Sequence, residues 1–267
     1  MSKIELYNDN FQNFKRYGIP KAQLVIADIP YNLGVNAYAS NPVWYEGGDN
    51  RNGESAKAGK AFFRSDGNFK IAEYMHFCSR LLKKEPKERG QAPAMIVFCA
   101  FEQCQMVIEY GKKSGFNGYI PLVFIKNFSA QVLKANMKIV GATEYGLVLY
   151  RNKLPKFNNN GKMVFNHFDW KRDNAKIYPK IHPTQKPVGL LKRLIEIFTN
   201  RGDVVIDPCA GSGSTLRAAY ELGRDSYGFE IDKKIYSDAM EKMLGNIVTQ
   251  NTMFGYGETY YEAGRGN

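Results

Sequence analysis

Short apolar runs recur along the chain at residues 24–28, 94–99, 122–125, 146–150, 204–207 and 227–230, each four to six residues long and bounded by polar or turn-forming positions. They are continuous rather than alternating, the pattern of strands covered on both faces in a parallel sheet. Helical periodicity fills several of the gaps. Val188, Leu191, Leu194, Ile195 and Phe198 recur at steps of one, three and four behind Pro187, a residue suited to a first helical turn. Lys192, Arg193 and Glu196 take the opposite face. A second helix is predicted over 215–222, stopped by Gly223. Strands alternating with helices predict a doubly wound α/β fold on a mixed, mostly parallel sheet.

Three stretches break the rhythm. Residues 33–70, with Gly47, Gly48, Asn52 and Gly53, are too long and polar for a routine connection and read as a mobile loop, either a functional lid or partly disordered. Residues 151–181 set Arg151, Lys153, Lys156, Lys162, Lys171, Arg172, Lys176 and Lys180 against only Asp169 and Asp173, a net of +6, and read as a basic insertion facing a polyanion. The tail after Gly245, with Tyr256, Tyr260 and Tyr261 among glycines, carries no reading.

The whole chain repeats that imbalance. Its 267 residues, read as a single domain over 1–267, hold 37 Lys and Arg against 26 Asp and Glu, a net charge of +11 that favours a phosphate-bearing partner. Cys78, Cys99, Cys104 and Cys209 lack both metal-ligand and disulfide-framework spacing and read as reduced thiols, with no metal expected. No N-terminal leader pattern and no run of roughly 18 apolar residues occurs, so cytoplasm is the default location.

Two clusters carry the chemistry, each at the end of an apolar run. Asp207-Pro208-Cys209-Ala210-Gly211-Ser212-Gly213-Ser214-Thr215 combines a carboxylate with a glycine turn leading into a helix, where backbone amides approach a ligand closely. Leu216 stands where a dinucleotide fingerprint wants its third glycine, which weakens a nicotinamide or flavin reading and leaves a nucleoside. Glu230 ends the next strand at the distance suited to ribose hydroxyls. The other cluster, Asp28-Ile29-Pro30-Tyr31, offers a carboxylate, a constrained carbonyl and an aromatic face, which suit a planar base with an exocyclic amine.

With these motifs the chain resembles the amino-group DNA methyltransferases of the β arrangement, dependent on S-adenosylmethionine, over most of its length. Asp28-Ile29-Pro30-Tyr31 is similar to the family's Asp-Pro-Pro-Tyr tetrapeptide, and 207–215 to its glycine motif. His182-Pro183-Thr184-Gln185-Lys186-Pro187 is similar to the segment that feeds the methionine end of the cofactor pocket. The catalytic block precedes the cofactor block, which is the β order. Lys126 followed by Glu144-Tyr145-Gly146 resembles the block before the target-recognition region, and Asp9 the acidic residue that meets the cofactor's adenine. Two positions depart from the pattern: Ile29 replaces a proline and Cys209 a phenylalanine.

The resemblance implies a Rossmann-like methyltransferase fold with S-adenosylmethionine as cofactor. Asp28, Ile29, Pro30 and Tyr31 are the implied catalytic residues. Asp9, Thr184, Lys186, Pro187, Asp207, Cys209, Ala210, Gly211, Ser212, Gly213 and Glu230 are the implied cofactor contacts. Double-stranded DNA is the implied partner, met by Lys126, Arg151, Lys153, Lys156, Lys171, Arg172, Lys176 and Lys180, with 151–181 as the target-recognition insertion. A cognate restriction endonuclease and a homodimer stay open. Asp rather than Ser at position 28 resembles the adenine-N6 subgroup. Cytosine N4, RNA and protein-amide methylation, and a non-catalytic DNA-binding module that keeps a cofactor pocket, are the rival expectations.

Overall fold

All six apolar runs form strands, and those at 24–28, 94–99, 146–150 and 204–207 insert alternate side chains into two separate hydrophobic layers. A computed structural model describes residues 2–31, 69–127, 131–134, 139–182, 184–245 and 247. The expected loop over 33–70, apart from its last two residues, and the tail after Gly245 lie outside them, save Ile247. The elements in chain order are β1 (Ile4–Tyr7), β2 (Leu24–Asp28), α1 (Ile71–Cys78), β3 (Ala94–Cys99), α2 (Cys104–Lys113), β4 (Gly118–Lys126), β5 (Gln131–Lys134), β6 (Ile139–Gly141), β7 (Thr143–Tyr150), β8 (His167–Trp170), α3 (Val188–Phe198), β9 (Val204–Asp207), α4 (Ser214–Glu221), β10 (Asp225–Phe229) and α5 (Lys233–Asp238). One-turn to two-turn 3-10 helices follow β1 (Phe11–Tyr17) and β3 (Phe101–Gln103).

Eight strands make one sheet in the order β1-β10-β9-β2-β3-β7-β4-β8, and β5 and β6 pair as a separate antiparallel ribbon. Along β2, Leu24 and Ile26 join the layer that holds Leu191, Leu194 and Ile195 of α3 with Leu216 of α4. Val25 and Ala27 join the opposite layer, with Tyr74 and Met75 of α1 and Val107 of α2. A strand buried from both sides has no reason to alternate polarity. Pro187 caps α3 rather than opening its first turn, and the Asp173 carboxylate accepts the Val188 amide at 2.8 Å from outside the helix. Gly223, with φ of 79°, takes the left-handed position after α4.

Two expectations change. The run at 146–150 is not parallel: β7 lies antiparallel to both β3 and β4. The link from β4 to β7 carries the β5–β6 ribbon in place of a crossover helix, and without a crossover a strand can only return antiparallel. The basic stretch 151–181 is not wholly an insertion. Its residues His167–Trp170 are β8, parallel to β4 at the sheet edge, and Pro155 bridges to Ala92.

From β2 the chain winds toward β3, and from β9 it winds the other way toward β10, while β2 and β9 are neighbours. That reversal opens a crevice at the carboxyl ends of the two strands, the position at which α/β sheets take their ligands. Asp28 and Asp207 are the last residues of those strands.

Candidate active site

The two motifs read from the sequence therefore end on adjacent strands at one edge of the sheet. In the first, Asp28 closes β2 and its Oδ2 accepts from Lys186 Nζ at 2.5 Å. Asp28 Oδ1 is buried and has no hydrogen-bond partner among the described residues. A buried carboxylate oxygen without a donor is costly, which marks it as a place prepared for a ligand's N–H or O–H. Burial pushes the Asp28 carboxyl above its ordinary range, partly countered by Lys186.

Lys186 is fully enclosed and bridges two acids, reaching Glu144 Oε2 at 3.2 Å besides Asp28. Burial alone would lower its pKa, but the two carboxylates outweigh burial and hold the ammonium charged. Glu144 binds Lys126 through its other oxygen, and these two lysines keep it ionised against burial. The rings of Tyr31, Phe98 and Trp170 lie 5.4–5.7 Å from Lys186 Nζ, and Lys126 stands 4.7 Å over Trp170. Two cations and two anions thus close into a neutral buried cluster behind the tetrapeptide.

The backbone of the tetrapeptide is tied on both sides. The Ile29 amide donates to the Phe98 carbonyl at 3.2 Å, and the Pro30 carbonyl accepts from Gln103 Nε2 at 3.0 Å. Ile29 points its side chain into the core and offers the site only its backbone.

In the second motif, Asp207 Oδ1 accepts the Cys209 amide at 3.0 Å, and the Ala210 amide donates to the Phe229 carbonyl at 2.9 Å, fastening the glycine loop to β10. Burial raises Asp207 to about 7, opposed by Thr215 and the Cys209 amide. Gly211 and Gly213 take φ of 51° and 76°, and a Cβ on Gly211 would meet nothing within 4 Å, so the loop is open on the ligand side. Ser212 bonds Ser214, Oγ to Oγ, at 2.8 Å inside the turn. Glu230 accepts the Gly211 amide at 3.0 Å and the Asp232 amide at 2.7 Å, one on each oxygen, which leaves a lone pair on each for a ribose hydroxyl. Asp9, just beyond β1, is held by the Asn10 amide, Asn13 and Tyr17, each at 2.7 Å. These residues line the ends of β9, β10 and β1 in succession, a donor and acceptor set that fits a nucleoside.

Several assignments move. Lys186, read as a cofactor contact, sits at the Asp28 carboxylate, since burying an ammonium requires anions around it. Thr184 turns its hydroxyl to His182 Nδ1 at 2.9 Å. Four of the DNA-facing cations are committed to the fold: Lys126 to Glu144, Arg151 to the carbonyls of Ser79 and Lys83, Lys153 to those of Pro86 and Lys87, and buried Lys156 to Asp203. Lys171, Arg172, Lys176 and Lys180 remain exposed. Lys171 and Arg172 share a cleft of about 470 Å³ with Arg193 of α3. Gln103 and Trp170 went unnoticed in the sequence because neither belongs to a chemical motif; the fold alone brings them there. Among the described residues no cluster of His, Cys, Asp or Glu could hold a metal, and no helix could cross a membrane.

Residues 22–241 match the family model described as DNA methylase, which spans both the N6 and N4 amino-group enzymes. The chain belongs to that family. Among curated relatives, this methylase is 28% identical over 262 residues to the DNA adenine methyltransferase YhdJ of Escherichia coli K12, covering 91% of this chain and 83% of that one. Among solved structures it superposes on an M1.HpyAVI–SAM complex with a TM-score of 0.65 and 21% identity, covering 90% of this chain and 98% of the other. The cytosine-N4-specific PvuII DNA methyltransferase gives the same TM-score at 15% identity, covering 95% and 91%. The fold is that of the Rossmann-like DNA methyltransferases.

Proposed function

We propose that this methylase transfers a methyl group from S-adenosylmethionine to the N6 amine of an adenine flipped out of double-stranded DNA. The observation that carries the proposal is the donor-free Asp28 Oδ1, buried at the strand end beside the open glycine loop. The pocket residues fit the cofactor: Glu230 for the ribose, Gly211 for close backbone approach, and Asp9 at the β1 end for the adenine. When bound, S-adenosylmethionine supplies an electrophilic methyl on a sulfonium.

An exocyclic amine is a poor nucleophile because its lone pair is shared with the ring. Asp28 Oδ1 accepts one N–H and the Ile29 carbonyl the other, so the nitrogen lone pair is turned out of the plane. The carboxylate also opposes the positive charge that grows on nitrogen, a preorganised electrostatic contribution worth roughly 3–4 kcal/mol per group. Lys186 opposes the rise that burial imposes on that carboxyl and pins Oδ2, which leaves Oδ1 in place for the amine. Tyr31 offers a stacking face to the extruded base, which offsets part of the few kcal/mol lost on unstacking. The similarity to a relative named an adenine methyltransferase, and Asp rather than Ser at position 28, favour adenine over cytosine.

The test is methylation of unmodified duplex DNA with labelled cofactor, followed by hydrolysis to bases. N6-methyladenine is expected; label in N4-methylcytosine, or in no base, sinks the adenine reading. Asp28→Ala is expected to lower turnover by at least about 100-fold while cofactor affinity stays within twofold. A parallel loss of both would make Asp28 a cofactor contact instead.

A further inference from the structure

The β2–β3 ladder stops one hydrogen bond early. In its register Asp28 faces Phe98, and the Ile29 amide donates to the Phe98 carbonyl. One further step of the same parallel ladder would put the Ala100 amide on the Ile29 carbonyl. It does not go there: the Ala100 amide donates to Gln103 Oε1 at 3.0 Å, while Gln103 Nε2 donates to the Pro30 carbonyl at 3.0 Å. The first bond is half of an ordinary helix-start cap for the 3-10 turn Phe101–Gln103. The second is not part of any cap, since it crosses from that turn to the catalytic tetrapeptide.

We infer that Gln103 is a positioning residue of the methylation reaction: one buried amide takes the donor that would engage the Ile29 carbonyl and anchors the next carbonyl, so that Ile29 O stays presented to the target amine. The inference rests on the proposed function, in which that carbonyl accepts the second amine hydrogen. Gln103 touches neither base nor cofactor in this scheme, and both ends of its side-chain amide are occupied. Its burial on a short helical turn, between the ends of β2 and β3, makes the arrangement rigid. A group held this way fixes an acceptor to within a fraction of an ångström, and a displacement of about 1 Å costs on the order of 100-fold in rate.

The test compares Gln103→Leu, which removes both bonds, with Gln103→Glu, which keeps the acceptor for Ala100 but loses the donor to Pro30. For Gln103→Leu the expected result is a fall in kcat of about 100-fold, with KM for DNA, cofactor affinity and flipping of a 2-aminopurine target all within twofold of the parent enzyme. Gln103→Glu should recover part of that loss. NMR of the Ile29 carbonyl carbon should show it gaining a hydrogen bond in the leucine variant. Unchanged kcat in Gln103→Leu overturns the inference, and so does a matching decline in cofactor affinity and flipping, which would make the residue merely structural. An active Asp28→Asn enzyme would instead remove the underlying mechanism, leaving the ladder observation at Ile29 to be judged by the carbonyl resonance alone.

Discussion

Two carboxylates stand a strand apart at the crevice, and burial affects both, but among the described residues only Asp28 has a cation paired with it. Asp28 is steadied by Lys186, whereas Asp207 answers to the Thr215 hydroxyl and a backbone amide and is raised from 3.8 to about 7. The consequence for stability follows from which state binds the proton more tightly. Between pH 4 and 7 the unfolded chain ionises this group while the folded protein keeps it protonated. Its contribution is therefore fully present below the unfolded pKa and is lost as pH rises to about 7. A displacement of that size corresponds to roughly 4 kcal/mol at the full conversion of about 1.4 kcal/mol per unit, before relaxation and water entry reduce it. Asp207→Asn keeps the acceptor for the Cys209 amide without the ionisation. It is expected to raise stability at pH 8 by about 2 kcal/mol and to flatten the decline between pH 4 and 7, read by denaturant unfolding across that range. A variant that is less stable at pH 8, or that keeps the original slope, would show that Asp207 is already ionised in the folded protein well below pH 7.

Among the elements, β10 and α4 show where sequence pattern succeeds and where it stops. The Gly-Ser-Gly turn, the helix after it and the stop at Gly223 were legible because each rests on local chemistry: glycine where φ is positive and an apolar stripe at helical spacing. Gly228 was not legible in this way. It lies inside a strand, where glycine weakens pairing, and its reason is tertiary: a Cβ there would come within 2.8 Å of Leu216 Cδ1 and 3.0 Å of Ala210 Cβ. Gly228→Ala is expected to cost about 1–3 kcal/mol through overpacking and to weaken cofactor affinity, since Ala210 belongs to the ligand loop. Denaturant titration and cofactor titration measure the two effects; an unaffected variant would mean that Leu216 yields freely. The same division holds across the sheet. The six inner strands declared themselves by continuous apolar runs, but β1, with one buried residue in Ile4–Tyr7, and β8, in the polar stretch His167–Trp170, are edge strands that only pairing reveals. The direction of β7 was equally hidden, because strand direction is set by the connection and not by the residues of the strand. At the site, Asp28, Asp207 and Glu230 could be read from strand ends, whereas the bridging of Lys186 between Asp28 and Glu144 depends on residues 42 to 158 positions apart.

At the scale of the whole molecule, a net charge of +11 is a statement about partners only after the cations that serve the fold have been subtracted. The basic stretch 151–181 separates into two populations. Arg151, Lys153 and Lys156 hold carbonyls and the Asp203 carboxylate of the body, and with Lys83 they fasten the segment after β7 onto the sheet. Lys171, Arg172, Lys176 and Lys180 face outward beyond β8. Only a solvated cation can release phosphate counterions, so the two groups should differ in a measurable way. Each Lys→Ala or Arg→Ala change at 171, 172, 176 or 180 that meets a phosphate is expected to reduce the slope of log affinity against log salt by about 1, with little change in stability. Lys156→Ala is expected to leave that slope intact and to destabilise the protein, because Asp203 loses a buried partner; the cost for breaking such a pair is about 3 kcal/mol or more where no other cation remains, and less here because Lys83 still reaches Asp203 at 3.0 Å. Binding to an unmodified duplex, titrated between about 50 and 200 mM salt and set beside thermal melts of the same variants, distinguishes the populations. A reduced slope for Lys156→Ala, or unchanged slopes for all four exterior variants, would place the DNA on another face of the molecule and leave β8 with a purely architectural role.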